Sequence, residues 1–288
     1  MQEEHSIADL CAALGVSRSG YHAWVTRTPG PRAQADATLW PLIEQAYKES
    51  RQTYGSPRIR QWLGRHGQKC SRHRVARLMR GHRMKSQTKR RFRVALTDSN
   101  HDLPIAPNLL DRQFNVATPD RVWAGDITYI HTDEGWLFLA VVIDLFSRQV
   151  VGWSLREDMT RDIVVDALRM AWFKRHPSKH AGLIFHSDRG SQYASQDFRD
   201  VLIEYGITAS MSRRGNCWDN ACSETLFGSL KVERLHGQRF VTRRQAKDEA
   251  IAWLLWYNQT RLHSTLAYVS PVRYEQDWLA AQAKQVNS

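Results

Sequence analysis

Three carboxylates stand where this chain could do chemistry: Asp126, Asp188 and Glu224. In the segment RVWAGDITYI the even positions Val122, Ala124, Asp126, Thr128 and Ile130 share one face of an extended strand, which sets Asp126 in a largely apolar row. A carboxylate so placed needs a partner, and a paired arginine or a capped turn would supply one structurally. Asp188 ends the segment GLIFHSD just before Arg189, Gly190 and Ser191, where a chain leaving a sheet commonly lines a site. Glu224 lies early in the amphipathic segment NACSETLFGSLKVE, with Asn220 one turn before it, Gly228 one turn after and Lys231 two turns after on the same face. A helical Glu is also an ordinary solvated surface charge, so the case rests on the set. Hard cations such as Mg²⁺ and Mn²⁺ take oxygen ligands, and three carboxylates are suitable donors. Two such cations held close together can activate an oxygen nucleophile and stabilise a leaving oxygen. Packed together without metal, the carboxylates repel and raise one another's pKa; with metal they stay ionised.

The surrounding sequence supplies elements to hold such a set. Residues 121–132 alternate, Gly135 to Ser147 is a continuous apolar run and Gln149 to Leu155 is a third strand, joined by turns short enough for an antiparallel meander. A helix over 161–175, a buried strand over 182–186, a helix over 195–205, a strand over 207–212 and helices over about 220–235 and 242–262 follow. The order βββ-α-β-α-β-α predicts an α/β fold, a mixed five-stranded sheet flanked by helices.

The N-terminal part reads differently. Residues 7–24 predict two short helices with Leu10, Leu14 and Val16 as core, Gly15 at the turn and Ser17 as cap, a first helix-turn-helix within residues 1–30. After a connector at 28–32, a second all-α unit over 36–96 predicts helices from Leu39 to Ser50, from the Ser56-Pro57 start to Gly64, and from the Ser71 cap to about Gly81. Ile59, Leu63, Val75 and Leu78 form its core. Residues 97–118, rich in Asp, Asn and Pro, read as a linker, 119–276 as the catalytic core and 277–288 as a polar tail.

Charge separates the halves. The chain's net charge is +12, and residues 1–118 hold 20 Lys and Arg against 9 Asp and Glu. From Ser50 to Thr97 there are fifteen cations and no acid, among them Arg58, Arg60, Arg72, Arg74, Arg77 and Arg80. Self-repulsion on this scale is tolerable mainly when a polyanion neutralises it, which points to double-stranded DNA as partner. The last four arginines surround the core side of the third helix, as on a helix lying in a groove. A basic surface kept for solubility is the bland alternative, and a membrane surface lacks an amphipathic anchor.

Composition excludes other classes. With 288 residues, of which 42% are hydrophobic, the chain can bury a sizeable core, so it is no disordered tail. Cys11, Cys70, Cys217 and Cys222 form no CxxC pair, which indicates neither a disulfide framework nor a zinc ribbon; Cys217 and Cys222 read as helix-edge residues. The run Trp136 to Ile143 is far too short for a membrane span, so a cytoplasmic, nucleoid-associated location and no membrane partner are expected.

WAGDITYI, HSDRGSQY and NCWDNACSETLFGSLKVE, with 35 residues between Asp188 and Glu224 and a Lys seven residues beyond, resemble the D,D(35)E signature of bacterial insertion-sequence transposases related to retroviral integrases. YNQTRLHSTLAYVSPVRYEQ resembles the family's C-terminal stretch, and TYGSPRI with RVARLMR its N-terminal DNA-binding region. The resemblance runs from about Ala8 to Glu275 and implies a ribonuclease-H-like catalytic fold. It also implies two Mg²⁺ or Mn²⁺ ions per site, Asp126 bridging both and Asp188 and Glu224 each holding one. Lys231 would contact DNA near the transposon end, with a plain surface charge as the alternative. The implied activity is DNA strand cleavage and 3′-OH strand transfer by a homo-oligomer bound at terminal inverted repeats. In such relatives the downstream frame, which this chain resembles, is commonly fused to an upstream reading-frame product, a possible partner here. The alternatives are a metal-dependent nuclease without transfer ability and a non-catalytic regulator of transposition.

His186 and Gln192 flank Asp188 and read as supports of that carboxylate, while Asn216, Asp219 and Asn220 read as shaping or capping the helix of Glu224. Trp123, Trp136, Trp153, Trp172, Trp253 and Trp256 read as core and interface rather than stacking platforms. No segment shows the HHCC zinc spacing of retroviral integrases, so apolar packing should hold the N-terminal region together.

Overall fold

The computed structural model describes residues 5–87, 103–179, 181–213 and 217–286. Lys89, Arg90, Arg91, Arg93, the first part of the expected linker (97–102) and Asn216 lie outside the described residues. The chain divides into two compact units, Met1–Lys85 and Ser86–Ser288.

The first unit is helical: α1 (Ile7–Ala13), α2 (Arg18–Val25), α3 (Pro31–Glu49), α4 (Ser56–Arg65) and α5 (Arg72–Gly81). Gly15 makes the α1–α2 turn in the left-handed region, a conformation that costs glycine nothing. Ser17 caps α2 by accepting from Gly20 N. The expected core of this hairpin is not found there. Leu14 and Val16 are 76% and 50% exposed, and the buried residue is Cys11. Two helices of seven and eight residues share a single contact face, too little to enclose three apolar side chains.

Helix α3 starts well before Leu39, inside the expected connector, because Pro31 lacks the amide that a helix's first turn leaves unpaired anyway. Gly55 rather than Ser56 takes the cap position of α4, while Ser71 caps α5 as expected by accepting from Arg74 N. Ile59, Leu63, Val75 and Leu78 are buried, joined by Leu39, Ile43, Ala46, Trp62 and Met79. Each large apolar side chain buried this way contributes about 1.5–3 kcal/mol.

The second unit opens with the meander β1 (Val122–Thr132), β2 (Gly135–Asp144) and β3 (Val150–Arg156), followed by α6 (Asp162–Arg175), β4 (Ile184–Ser187), α7 (Ser191–Ala194), α8 (Gln196–Glu204) and β5 (Thr208–Met211). A 3₁₀ turn (Cys217–Asn220), α9 (Ala221–Leu230), a π-helical turn (Lys231–Leu235), α10 (Arg243–Gln259), a 3₁₀ turn (Ser264–Leu266) and α11 (Pro271–Val286) complete it. The sheet order is β3-β2-β1-β4-β5; the meander pairs are antiparallel, and β4 runs parallel to both β1 and β5. This is the expected mixed five-stranded, ribonuclease-H-like arrangement.

Side-chain alternation sends each strand's residues to two covered faces. On one face Trp123, Ala140 and Val142 pack with Ile163, Leu168, Phe198 and Leu202 from α6 and α8. On the other, Leu139, Val141, Ile143 and Val150 pack with Leu226, Phe227 and Leu230 of α9 and Trp253, Leu254 and Tyr257 of α10. Coverage on both faces is why β2 reads as an unbroken apolar run. Gly152 permits the closest approach: a Cβ there would collide with the Ala167 carbonyl oxygen and with Ala171 of α6.

The expected continuous helix over 220–235 is broken at Lys231, and the expected helix over 242–262 stops at Gln259 after starting at a Thr242–Gln245 capping box. Residues 277–286, expected as part of a polar tail, belong to α11. Trp123 and Trp253 are fully buried and Trp153, Trp172 and Trp256 half-buried, while Trp136 is 47% exposed, outside the core, and meets Tyr129 and His131 edge-on. Among the described residues no helix is long and apolar enough to cross a membrane.

Candidate active site

Asp126 sits near the middle of β1, opposite Val141 of β2, on the sheet face that α9 covers. Asp188 follows β4, the strand parallel to β1, so the two carboxylates come from adjacent strands in the middle of the sheet. Together with Ile127, Met159, Gly190, Gln192 and Tyr193 they line one small cleft. Gly125, next to Asp126, lies under the Phe185 ring, and a Cβ at that position would clash with it.

Burial, the largest cause, pushes the Asp126 carboxyl well above the usual carboxylate range, and the charge of Asp188 pushes it further. The Ile127 amide, donating to Asp126 Oδ1 at 2.8 Å, opposes this, the charge of Glu224 adds to it, and Lys231 acts against it. Glu224 itself is exposed in the first turn of α9, yet close enough to act on Asp126. Asp188 accepts from Gly190 N at 2.9 Å, which folds the loop back on the carboxylate. Among the described residues no three His, Cys, Asp or Glu groups stand at metal-ligating spacing. The donor chemistry nevertheless fits a hard divalent cation: oxygen donors alone, a half-buried carboxylate and mutual like-charge repulsion that a cation would relieve.

The flanking residues distribute as follows. Gln192 lines the cleft and donates to the Met159 carbonyl at 3.0 Å. His186 is fully buried with Nδ1 2.9 Å from Ser210 Oγ on β5, and burial pushes its pKa down to about 4, so the ring is neutral at physiological pH. Asn220 occupies the position before α9 but makes no side-chain cap; its φ −115° and ψ 25° are not the extended dihedrals a cap uses, because the 3₁₀ turn runs straight into the helix. Asp219 performs the anchoring. It accepts from Asn108 Nδ2 (3.0 Å), Arg112 Nε (3.0 Å) and Arg213 Nε and Nη2 (2.9 and 2.8 Å), tying the start of α9 to segments before β1 and after β5. These partners, the Arg213 guanidinium foremost, hold its carboxyl far below the usual range.

Lys231, one residue past α9, turns inward. Its ammonium lies 4.8 Å from the Tyr129 ring centroid, and burial lowers its pKa against the opposing charge of Asp126.

Residues 117–217 and 205–271 match two models described as integrase core domain, and residues 33–92 match an HTH-like domain. The chain is 42% identical over 274 residues to the insertion element IS600 uncharacterized 31 kDa protein of Shigella sonnei, covering 93% of this chain and 98% of that one. It is 39% identical over 282 residues to transposase InsF for insertion sequence IS3A of Escherichia coli (strain K12), covering 97% of each. The chain belongs to the insertion-sequence transposases. A solved structure of the HTLV-2 integrase catalytic core domain in complex with magnesium aligns at TM-score 0.42 and 21% identity, covering 55% of the transposase and 97% of that chain.

In the transposase's HTH-like region the six arginines singled out by sequence do not form one row. Arg60, Arg72 and Arg80 are exposed. Arg74 donates to Asp36 of α3 at 2.7 Å and Arg77 pairs with the same carboxylate, so both are already engaged within the helical unit. Arg58 is half-buried, 5.6 Å from the Tyr54 ring. Asp36 as their partner, and Tyr129, Met159 and Tyr193 around the carboxylates, are not among the residues the sequence singles out. Tyr129 and Tyr193 stand in the WAGDITYI and HSDRGSQY segments, and burial followed by the charges of Asp126 and Asp188 pushes the Tyr193 hydroxyl well up.

Proposed function

We propose that the transposase is a metal-dependent polynucleotidyl transferase whose active site is Asp126, Asp188 and Glu224. The observation that carries this reading is Asp126: a carboxylate in the middle of the sheet, sharing a cleft with Asp188 and acted on by Glu224 and Lys231. Asp126 would hold two Mg²⁺ or Mn²⁺ ions, with Asp188 and Glu224 each holding one. When bound, such ions lower the pKa of an attacking hydroxyl or water and stabilise the leaving oxygen. The chain's own groups position the DNA. Lys231 offers an ammonium at the edge of the site for a phosphate of the element's end, and Gln192, fixed to the Met159 backbone, shapes the cleft wall. In strand transfer a 3′-hydroxyl loses its proton to water and forms a new P–O bond while the target strand's P–O bond breaks, its 3′ oxygen leaving and taking up a proton from water. No covalent bond to the protein forms. Exposed arginines of the HTH-like region, Arg60, Arg72 and Arg80, supply phosphate contacts that hold the DNA ends.

The test is strand joining with a labelled, pre-nicked element end and plasmid target in Mg²⁺ or Mn²⁺. Joined products should form with the native chain and disappear with Asp126→Asn, Asp188→Asn and Glu224→Gln. Cleavage without joining would favour a nuclease, binding without either would favour a regulator, and joining that survives all three substitutions would refute the site.

A further inference from the structure

The helix that carries Glu224 ends in a way that apolar packing does not explain. Helix α9 lays Leu226, Phe227 and Leu230 against the sheet, which fixes its depth. Such contacts tolerate sliding and rotation, since apolar side chains of the right volume repack at small cost. Immediately afterwards the chain widens into the π-helical turn Lys231–Leu235, closed by His236 N donating to the Lys231 carbonyl at 2.8 Å. Turns of this kind are rare and cluster at functional sites.

Glu233 inside that turn is buried and paired with Arg261, which comes from the stretch after α10 and is 4% exposed. Arg261 Nε donates to Glu233 Oε2 at 2.8 Å and Nη2 to Oε1 at 2.6 Å, a fork on a fork. The same Nη2 lies 3.3 Å from Ser229 Oγ on α9, and Trp253 Nε1 of α10 donates to Glu233 Oε2 at 3.3 Å. One guanidinium thus grips both the last turn of α9 and the π turn. A buried ion pair is commonly no more stable than apolar residues of equal volume, so stability is not what it specifically supplies. A bidentate pair does supply direction, because its hydrogen bonds hold only over a narrow range of angles. Lys231, two residues before Glu233, lies over Tyr129 and acts on Asp126, and Glu224 is seven residues earlier on the same helix face.

We infer that Glu233 and Arg261 form a rotational clamp that turns α9 so that Glu224 and Lys231 face Asp126. Both are positioning residues for strand transfer, an inference that rests on the carboxylate site proposed above. The clamp predicts a separation of stability from activity.

The experiment replaces both partners together, Glu233→Met with Arg261→Met, in the full chain. Thermal stability should stay level or rise, and the apparent KM for the DNA end should stay within about twofold, while kcat for joining falls about 100-fold, the scale of a displacement near 1 Å. A second readout needs neither metal nor DNA: acylation of the Lys231 amine, followed by mass spectrometry, should be several-fold faster once the clamp is gone. Arg261→Lys keeps the charge without the fork and should fall between; if the double variant does not fold, this variant carries the test. Native joining and native Lys231 reactivity in a folded clamp variant would overturn the inference. Glu224→Gln, run beside it, separates the two readings: if it joins at the native rate the carboxylate site itself fails, and if it is inactive while the clamp variant is native only the clamp fails.

Discussion

Asp219→Asn is the substitution that most sharply separates anchoring from chemistry. The side chain has no exposed surface, yet the knot is shallow, because both of its guanidinium partners, Arg112 and Arg213, are 47% exposed. Breaking a fully buried pair costs about 3–5 kcal/mol because a charge is left stranded. Here the arginines can turn to solvent, and the amide keeps one acceptor oxygen. The loss is therefore about 2 kcal/mol, the scale of a hydrogen bond to a charged group. For a unit of this size that lowers the melting temperature by roughly 4–8 °C. The pH dependence has a definite sign. The folded-state pKa lies below the ordinary 3.8, so the contribution is fully present above that value and is lost as pH falls below it. Thermal unfolding of the native chain and the variant should show a constant gap from pH 5 to pH 8 that closes in more acid solution. An unchanged melting temperature at pH 7, or a gap that widens in acid, would refute the reasoning. Because Asp219 sets the start of α9, joining should also slow through Glu224 while DNA binding by the N-terminal unit persists.

Other outcomes follow from the same geometry. Arg72→Ala and Arg80→Ala should each weaken DNA binding and reduce the slope of log affinity against log salt by about 1, whereas Arg74→Ala, which breaks the Asp36 contact, should chiefly destabilise the helical unit; a salt titration of binding beside a melting curve checks both. Gly152→Ala should destabilise the core by about 1–3 kcal/mol, because the added methyl meets the α6 backbone at Ala167, and chemical denaturation measures it. Burial raises the Asp144 carboxyl to about 6, so this residue's contribution to stability falls as pH rises from about 4 to 6; a carboxyl signal titrating near 6 that vanishes in Asp144→Asn would confirm it, and a midpoint near 4 would not.

The strands were legible because their periodicity is local: the even row around Asp126 and the unbroken apolar run of β2 state directly which residues face which layer. The N-cap at Ser71 is an equally local signal. What the sequence hid is long-range. Asp36 engages Arg74 across 38 positions and Glu233 engages Arg261 across 28, and no spacing rule couples such residues. The break at Lys231 was invisible because a π turn has no composition of its own, and Leu14 and Val16 read as core because apolar residues at the turn between two short helices look alike whether or not a third element covers them. The start of α3 was misplaced because Pro serves both as a linker signal and as a first-turn residue. For the three carboxylates, periodicity located Asp126 on its row, while their grouping came from family resemblance rather than from spacing alone.

The most direct measurement of the central claim is the number of Mn²⁺ ions bound per chain on a pre-nicked DNA end, counted by electron paramagnetic resonance. Two ions are expected for the native chain, none for Asp126→Asn, and one each for Asp188→Asn and Glu224→Gln. Native stoichiometry in Asp126→Asn would contradict the claim.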